Sequence, residues 1–168
     1  RWPGKIPAGQ VNDEIMTAMD LLPTFAKLAG AKIPTDRRID GKDIWPVLTG
    51  KEKSPHEAFF YYKRNTLEAV RSGRWKLHIR KDDRELRELY DLEADIGETC
   101  DLYDRHPDVV RDLMARVDAC RLDLGDEAVG VQGDNIRPAG RVEHPDTLTH
   151  YDPEHPYMIA MYDLKDRG

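Results

Sequence analysis

Apolar residues fall at helical spacing in the first third of the chain and at strand spacing in the middle, and the change comes near residue 56. Before it, Leu21, Leu22, Phe25 and Leu28 recur every three or four residues between Asp20 and Gly30. Asp is a common helix N-cap, Gly a common stop, and Pro23 falls in the first turn, where a missing N–H costs nothing. This spacing predicts a helix over about 20–30. Asp40-Gly41-Lys42-Asp43 reads as a turn, and 44–50 as one short helical turn with Ile44, Val47 and Leu48 facing inward. The polar run 51–55 is the expected boundary between two parts of the chain.

From Phe59-Phe60-Tyr61-Tyr62 onward the period is two, in residue types that favour strands. Runs at 67–71 and 75–79 flank Ser72-Gly73 and predict a tight hairpin. Trp75, Leu77 and Ile79 fall on one face of it, Lys76, His78 and Arg80 on the other. The charged run 81–87 reads as a loop into a last strand at 88–92. Connections this short exclude helical crossovers, so the four strands are expected to be antiparallel. Pro107 then opens a helix over about 107–124, whose stripe of Val110, Leu113, Val117, Cys120 and Leu124 is predicted to cover one sheet face. Glycine and proline recur through 125–140, and the His-, Pro- and Asp-rich remainder holds one strand-like run, Met158-Ile159-Ala160-Met161-Tyr162, so 126–168 reads as extended loop and tail.

Composition narrows the function classes. A chain of 168 residues is one domain, or one plus a piece of another. With 26 Lys plus Arg against 32 Asp plus Glu, a net charge of -6 offers no field for phosphate backbones, which argues against nucleic acid as partner. Mean hydropathy is -0.71, and no apolar run approaches the roughly 18 residues of a membrane span. Two cysteines are too few for a disulfide scaffold or a Cys-ligated zinc site. The chain opens on Arg1-Trp2-Pro3-Gly4 with neither an initiator Met nor a signal-peptide pattern, and is expected to be cut from something longer.

Candidate chemistry is sparse. His78 sits mid-strand beside Lys76 on one face, a pairing suited to an anionic substrate group, although a solvated sheet face gives the same pattern. His106-Pro107-Asp108 matches a tripeptide of J-domain cochaperones but lacks the basic helix before it, so helix capping accounts for it. His144, Asp146, His150, Asp152, Glu154 and His155 are metal-ligand types, yet prolines at 145, 153 and 156 break any helix that would align them. Asp134-Asn135 is too short a match to an oxygen-rich metal site to specify one. Cys120 reads as a core residue, and Cys100 has acidic neighbours that disfavour a thiolate. No Gly-x-Ser-x-Gly, phosphate-binding glycine loop or dinucleotide fingerprint occurs.

Several strings, in order, resemble the C-terminal part of the sulfatase family, in particular its arylsulfatase A and N-acetylgalactosamine-6-sulfatase-like members. They are Arg1-Trp2-Pro3-Gly4-Lys5-Ile6-Pro7-Ala8-Gly9, Met19-Asp20-Leu21-Leu22-Pro23-Thr24, Leu28-Ala29-Gly30, Ile39-Asp40-Gly41-Lys42-Asp43 and Leu48-Thr49-Gly50. The second half adds Phe60-Tyr61-Tyr62, then Ala69-Val70-Arg71-Ser72-Gly73-Arg74-Trp75-Lys76-Leu77, Glu88-Leu89-Tyr90-Asp91-Leu92 and Gly97-Glu98-Thr99, while Arg137-Pro138-Ala139-Gly140-Arg141 resembles a closing loop of bacterial members.

The resemblance implies an α+β fold: residues 1–55 end an α/β, alkaline-phosphatase-like catalytic domain, and 56–125 form a C-terminal subdomain of four antiparallel strands with a packed helix. It implies a parent enzyme that hydrolyses sulfate esters, small-molecule or glycan, through a formylglycine made from Cys/Ser-x-Pro-x-Arg and a calcium ion, and that is exported. Neither cysteine here lies in that motif, since Cys100 is followed by Asp-Leu-Tyr-Asp and Cys120 by Arg-Leu-Asp-Leu. The family's calcium ligands precede the Arg-Trp-Pro-Gly string, so the fragment is expected to be inactive alone and to hold no metal. His78 and Lys76 are then candidates to contact the leaving group or sugar. A stand-alone, non-catalytic binding module and a phosphodiesterase or phosphonate hydrolase of the alkaline-phosphatase superfamily remain the alternatives.

Overall fold

The computed structural model describes residues 2–138, 141 and 143. Arg1–Ile136 form one compact unit and Arg137–Gly168 a second, and every described helix and strand lies in the first. The tail residues His144 to His155 singled out above, and the run 158–162, lie outside the described residues.

Strands β1 (Phe59–Lys63), β2 (Thr66–Ser72), β3 (Trp75–Lys81) and β4 (Arg84–Asp91) make an antiparallel meander in the order β1-β2-β3-β4. The register explains the two faces. Phe60 pairs with Val70, Val70 with Leu77 and Leu77 with Leu89, so one apolar row crosses all four strands. Against that row lies the helix Pro107–Leu124, whose Val110, Leu113, Val117 and Cys120 are buried with it in one core. The neighbouring rows, Tyr61-Ala69-His78-Glu88 and Phe59-Arg71-Lys76-Tyr90, point to the opposite face, because successive strand residues alternate sides.

Two expectations need correcting here. The charged run 81–87 is not a free loop: Lys81 pairs with Arg84 and Arg80 with Glu85, so β3 and β4 meet across a two-residue turn in which Asp82 adopts a left-handed φ of 54°. Asp tolerates that conformation, and the strand pairing outweighs the charge. Leu124, the last position of the predicted stripe, is 46% exposed, because the helix ends there, past the edge of the core.

The first 55 residues carry less regular structure: helix α1 (Leu21–Leu28), preceded by a 3-10 turn at Ala18–Asp20, and the short α2 (Trp45–Leu48). The longer helix Pro107–Leu124 is α3. Asp20 does not cap α1. Its backbone is already helical, and its wholly buried carboxylate accepts the Thr17 and Lys42 N–H groups and meets His56 instead. Leu21, Leu22, Phe25 and Leu28, the apolar stripe of this helix, are 39–59% exposed, while Pro23 and Thr24 are the buried residues of α1. No helix among the described residues is long and apolar enough to cross a membrane.

Candidate functional site

Lys76 and His78 project from the same face of β3, two residues apart, and the loop after β4 reaches back over them. That loop is built by Asp95, whose carboxylate accepts the Thr99 N–H at 2.7 Å and the Cys100 N–H at 2.8 Å. The turn so formed presents Glu98, in a left-handed backbone conformation with φ 54°, to the sheet. One Glu98 oxygen accepts from Lys76 Nζ at 2.6 Å and the other lies 2.9 Å from His78 Nε2. The three side chains are 15%, 20% and 28% exposed for Lys76, His78 and Glu98, so the face is covered rather than open to solvent.

Aromatic rings frame the cluster. Lys76 Nζ lies 4.8 Å from the centre of the Tyr61 ring, close enough for a cation–π contact. The His78 ring meets Tyr90 edge-on at 5.7 Å, and the Tyr90 hydroxyl donates to Glu88 at 3.1 Å. Burial, with the Glu88 carboxylate adding to it, pushes the Tyr90 hydroxyl up to about 12, so it stays a donor at any ordinary pH. For Glu98, burial pulls upward, but the Lys76 ammonium and His78 outweigh it and hold the carboxyl below its usual range. An ionised Glu98 only accepts, so His78 Nε2 donates to it, and among the described residues no hydrogen bond reaches Nδ1.

Beside Tyr61 a cavity of about 260 Å³ opens between residues 14–18 and the sheet, lined also by Phe59 and Arg71. A larger cleft of about 860 Å³ runs along 11–15 and 50–54 to Arg71 and Arg74. Lys76, His78 and Glu98 line neither cavity, and the larger one sets Asp13, Glu14, Glu52 and Glu93 beside Lys51, Lys53, Arg71 and Arg74, so it offers paired charges of both signs to a polar ligand. Cys120 is buried, its thiol pushed up by burial and touching the Tyr62 hydroxyl at 3.4 Å, and Cys100 is an exposed free thiol. Among the described residues no group of three or more His, Cys, Asp or Glu side chains could hold a metal ion. Asn135 donates its side-chain amide to Asp123, which ties it to the end of α3.

His106 and Pro107 start α3, with the His106 ring 4.9 Å from that of Trp75, a packing role. Sequence reasoning missed Glu98 as the partner joining Lys76 to His78. The signal was present in Gly97-Glu98-Thr99, but nothing in the spacing says that this turn folds back onto β3.

The model for the family described as N-sulphoglucosamine sulphohydrolase, C-terminal, matches residues 1–123. An arylsulfatase of Hemicentrotus pulcherrimus is 46% identical over 93 residues, covering 55% of this chain and 17% of that protein. Human steryl-sulfatase is 54% identical over 72 residues, 42% of this chain and 12% of the relative. The chain thus spans about a sixth or less of the length of these curated relatives. Among solved structures, Ps i-CgsB in complex with k-i-k-neocarrahexaose superposes with a TM-score of 0.60 at 25% identity, covering 80% of this chain and 30% of that one. A protein in complex with its substrate D-glucosamine-2-N,6-O-disulfate gives 0.55 at 26% identity, over 72% and 27% of the two chains. A match through residue 123, on the four-stranded sheet and packed helix described above, means that this chain belongs to the C-terminal family of the sulfatases.

Proposed function

We propose that this chain is the C-terminal part of a sulfuric ester hydrolase that cleaves an aryl sulfate or a sulfated sugar, and that it walls one side of the active-site cleft. In this reading residues upstream of Arg1 supply the formylglycine nucleophile and the calcium site, and the chain alone is inactive. The observation that carries it is the family match over residues 1–123. The apolar stripe of Leu21, Leu22, Phe25 and Leu28, exposed on α1, supports it as a surface for the rest of a catalytic domain to cover. Among the described residues no cluster of three or more His, Cys, Asp or Glu side chains could hold a calcium ion. A sulfatase deprived of nucleophile and metal loses most of its transition-state stabilisation, which is why inactivity of the isolated chain follows.

Within the enzyme, Lys76 and His78 contact the leaving group or sugar. Lys76 is a compact positive charge held over Tyr61, and His78, two residues along the same strand face, shares its Glu98 partner. Neither group touches the sulfur, so their effect is expected in substrate binding before turnover.

The test begins with the coding DNA upstream of the Arg1 codon. An in-frame extension of a few hundred codons containing Cys/Ser-x-Pro-x-Arg supports the reading; a start codon close to Arg1 overturns it and leaves a stand-alone module. In the extended protein, Lys76→Ala and His78→Ala are then assayed on an aryl sulfate and a sulfated monosaccharide. Unchanged KM and kcat for both variants would remove the two residues from the site.

A further inference from the structure

Glu98 combines three features that rarely coincide by chance. It is a non-glycine residue in the left-handed region, where a side chain with a Cβ is disfavoured. Gly97 directly precedes it, yet the left-handed position falls on Glu98 and not on the glycine. Its carboxylate is divided, one oxygen to Lys76 at 2.6 Å and the other to His78 at 2.9 Å. Backbone strain of this kind persists only where surrounding structure over-determines it, and here Asp95 fixes the turn from below while two side chains of β3 hold it from above.

We infer that Glu98 is the positioning residue of the site: its carboxylate locks His78 in the Nε2–H tautomer and fixes Lys76, so that His78 Nδ1 and the ammonium face a bound sulfate ester together. This rests on the reading that Lys76 and His78 contact substrate. The tautomer follows from the inventory of donors and acceptors. A carboxylate has no proton to give, so His78 must donate through Nε2, and neutral His78 then offers a lone pair at Nδ1. The other groups facing His78 do not compete for Nε2. Glu88, its cross-strand neighbour, accepts from the Tyr90 hydroxyl, Tyr90 meets the ring edge-on, and Ala69 on β2 has no polar side chain.

The carboxylate is the feature to change, and Glu98→Gln changes it with little loss of volume. The Lys76 ammonium can only donate, so it claims the amide oxygen, which turns the amide NH2 toward His78 Nε2. His78 must then accept at Nε2 and carry its proton on Nδ1. The substitution is therefore expected to reverse the tautomer instead of merely loosening the loop.

The experiment uses the longest in-frame polypeptide that contains residues 1–168, labelled with 15N-histidine, with the His78 resonances assigned by their loss in His78→Ala. At a pH where the imidazole is neutral, the wild type is expected to give the shifts of an Nε2–H tautomer and Glu98→Gln those of Nδ1–H. In the same protein Glu98→Gln is expected to raise KM for a sulfated monosaccharide about tenfold with a smaller change in kcat, the scale of one misdirected charged hydrogen bond. Unchanged 15N shifts overturn the inference. A reversed tautomer with unchanged KM also overturns it, leaving Glu98 a structural clamp. If Lys76→Ala and His78→Ala leave KM unchanged as well, the failure lies in the substrate-contact reading; if they raise it and Glu98→Gln does not, it lies with Glu98 alone.

Discussion

His56 Nε2 lies 2.7 Å from Asp20 Oδ1, although the two residues are 36 positions apart and both side chains are almost completely buried. This contact joins the start of α1 to the segment entering the sheet. Asp20 also accepts the Lys42 N–H at 2.8 Å and the Thr17 N–H at 2.7 Å, so one carboxylate organises three loops. Burial alone would raise its pKa, but the two amide donors and His56 outweigh burial and hold it below the usual 3.8.

That depression gives a signed pH dependence. A carboxyl with a lowered native pKa stabilises the fold above its unfolded pKa, near 3.8, and loses that contribution as pH falls through the native value. Asp20→Ala is expected to cost at least about 3 kcal/mol at neutral pH, because a buried partner and two amides are stranded. The gap to wild type should narrow below pH 3.8 in urea unfolding; an equal gap at pH 7 and pH 3 would count against the assignment.

Gly41 packs directly beneath this hub. A Cβ there would overlap the Met19 carbonyl, a backbone atom that cannot move without disturbing the Asp20 turn. Gly41→Ala is expected to destabilise by about 1–3 kcal/mol. Because the Gly41 backbone is not left-handed, the cost is steric, and a melting temperature equal to wild type would show that the loop can back away.

Of the two cysteines, Cys100 is exposed and Cys120 is buried with its thiol pushed up by burial. Titration with a disulfide-exchange reagent is expected to find one fast thiol in the native protein and two after denaturation. Two fast thiols in the native state would mean that α3 opens readily.

Leu77 lies at the centre of the apolar row and is fully buried against α3. Leu77→Ala is expected to cost about 2–5 kcal/mol in denaturant unfolding. Trp75→Leu, at the end of the same strand and only partly buried, should cost less, and the reverse order would misplace the core.

The exposed stripe on α1 makes its own prediction. Leu22 and Phe25 are 56% and 59% exposed, so Leu22→Lys with Phe25→Glu should leave the unfolding free energy of the isolated chain within about 0.5 kcal/mol while reducing its self-association. A loss of several kcal/mol would show instead that the stripe packs against this chain.

The sheet and α3 were readable in the sequence because their signals are local. Alternation in 75–79 separates Leu77 from Lys76 and His78, and steps of three and four place Val110, Leu113, Val117 and Cys120 on one side, whatever surrounds them. The same alternation set Lys76 and His78 on a common face. Tertiary structure alone decided what that face became. Whether Lys76 and His78 meet water or a carboxylate depends on where the 95–100 turn lands, and that is set by Asp95 capturing the Thr99 and Cys100 amides. Asp20 went the same way: a helix cap by residue type, it is a buried hub because Lys42 and His56 arrive from elsewhere. The α1 stripe shows the limit from the other side. Periodicity determined that Leu21, Leu22, Phe25 and Leu28 share a face, but burial is a property of what lies opposite, and among the described residues nothing covers it.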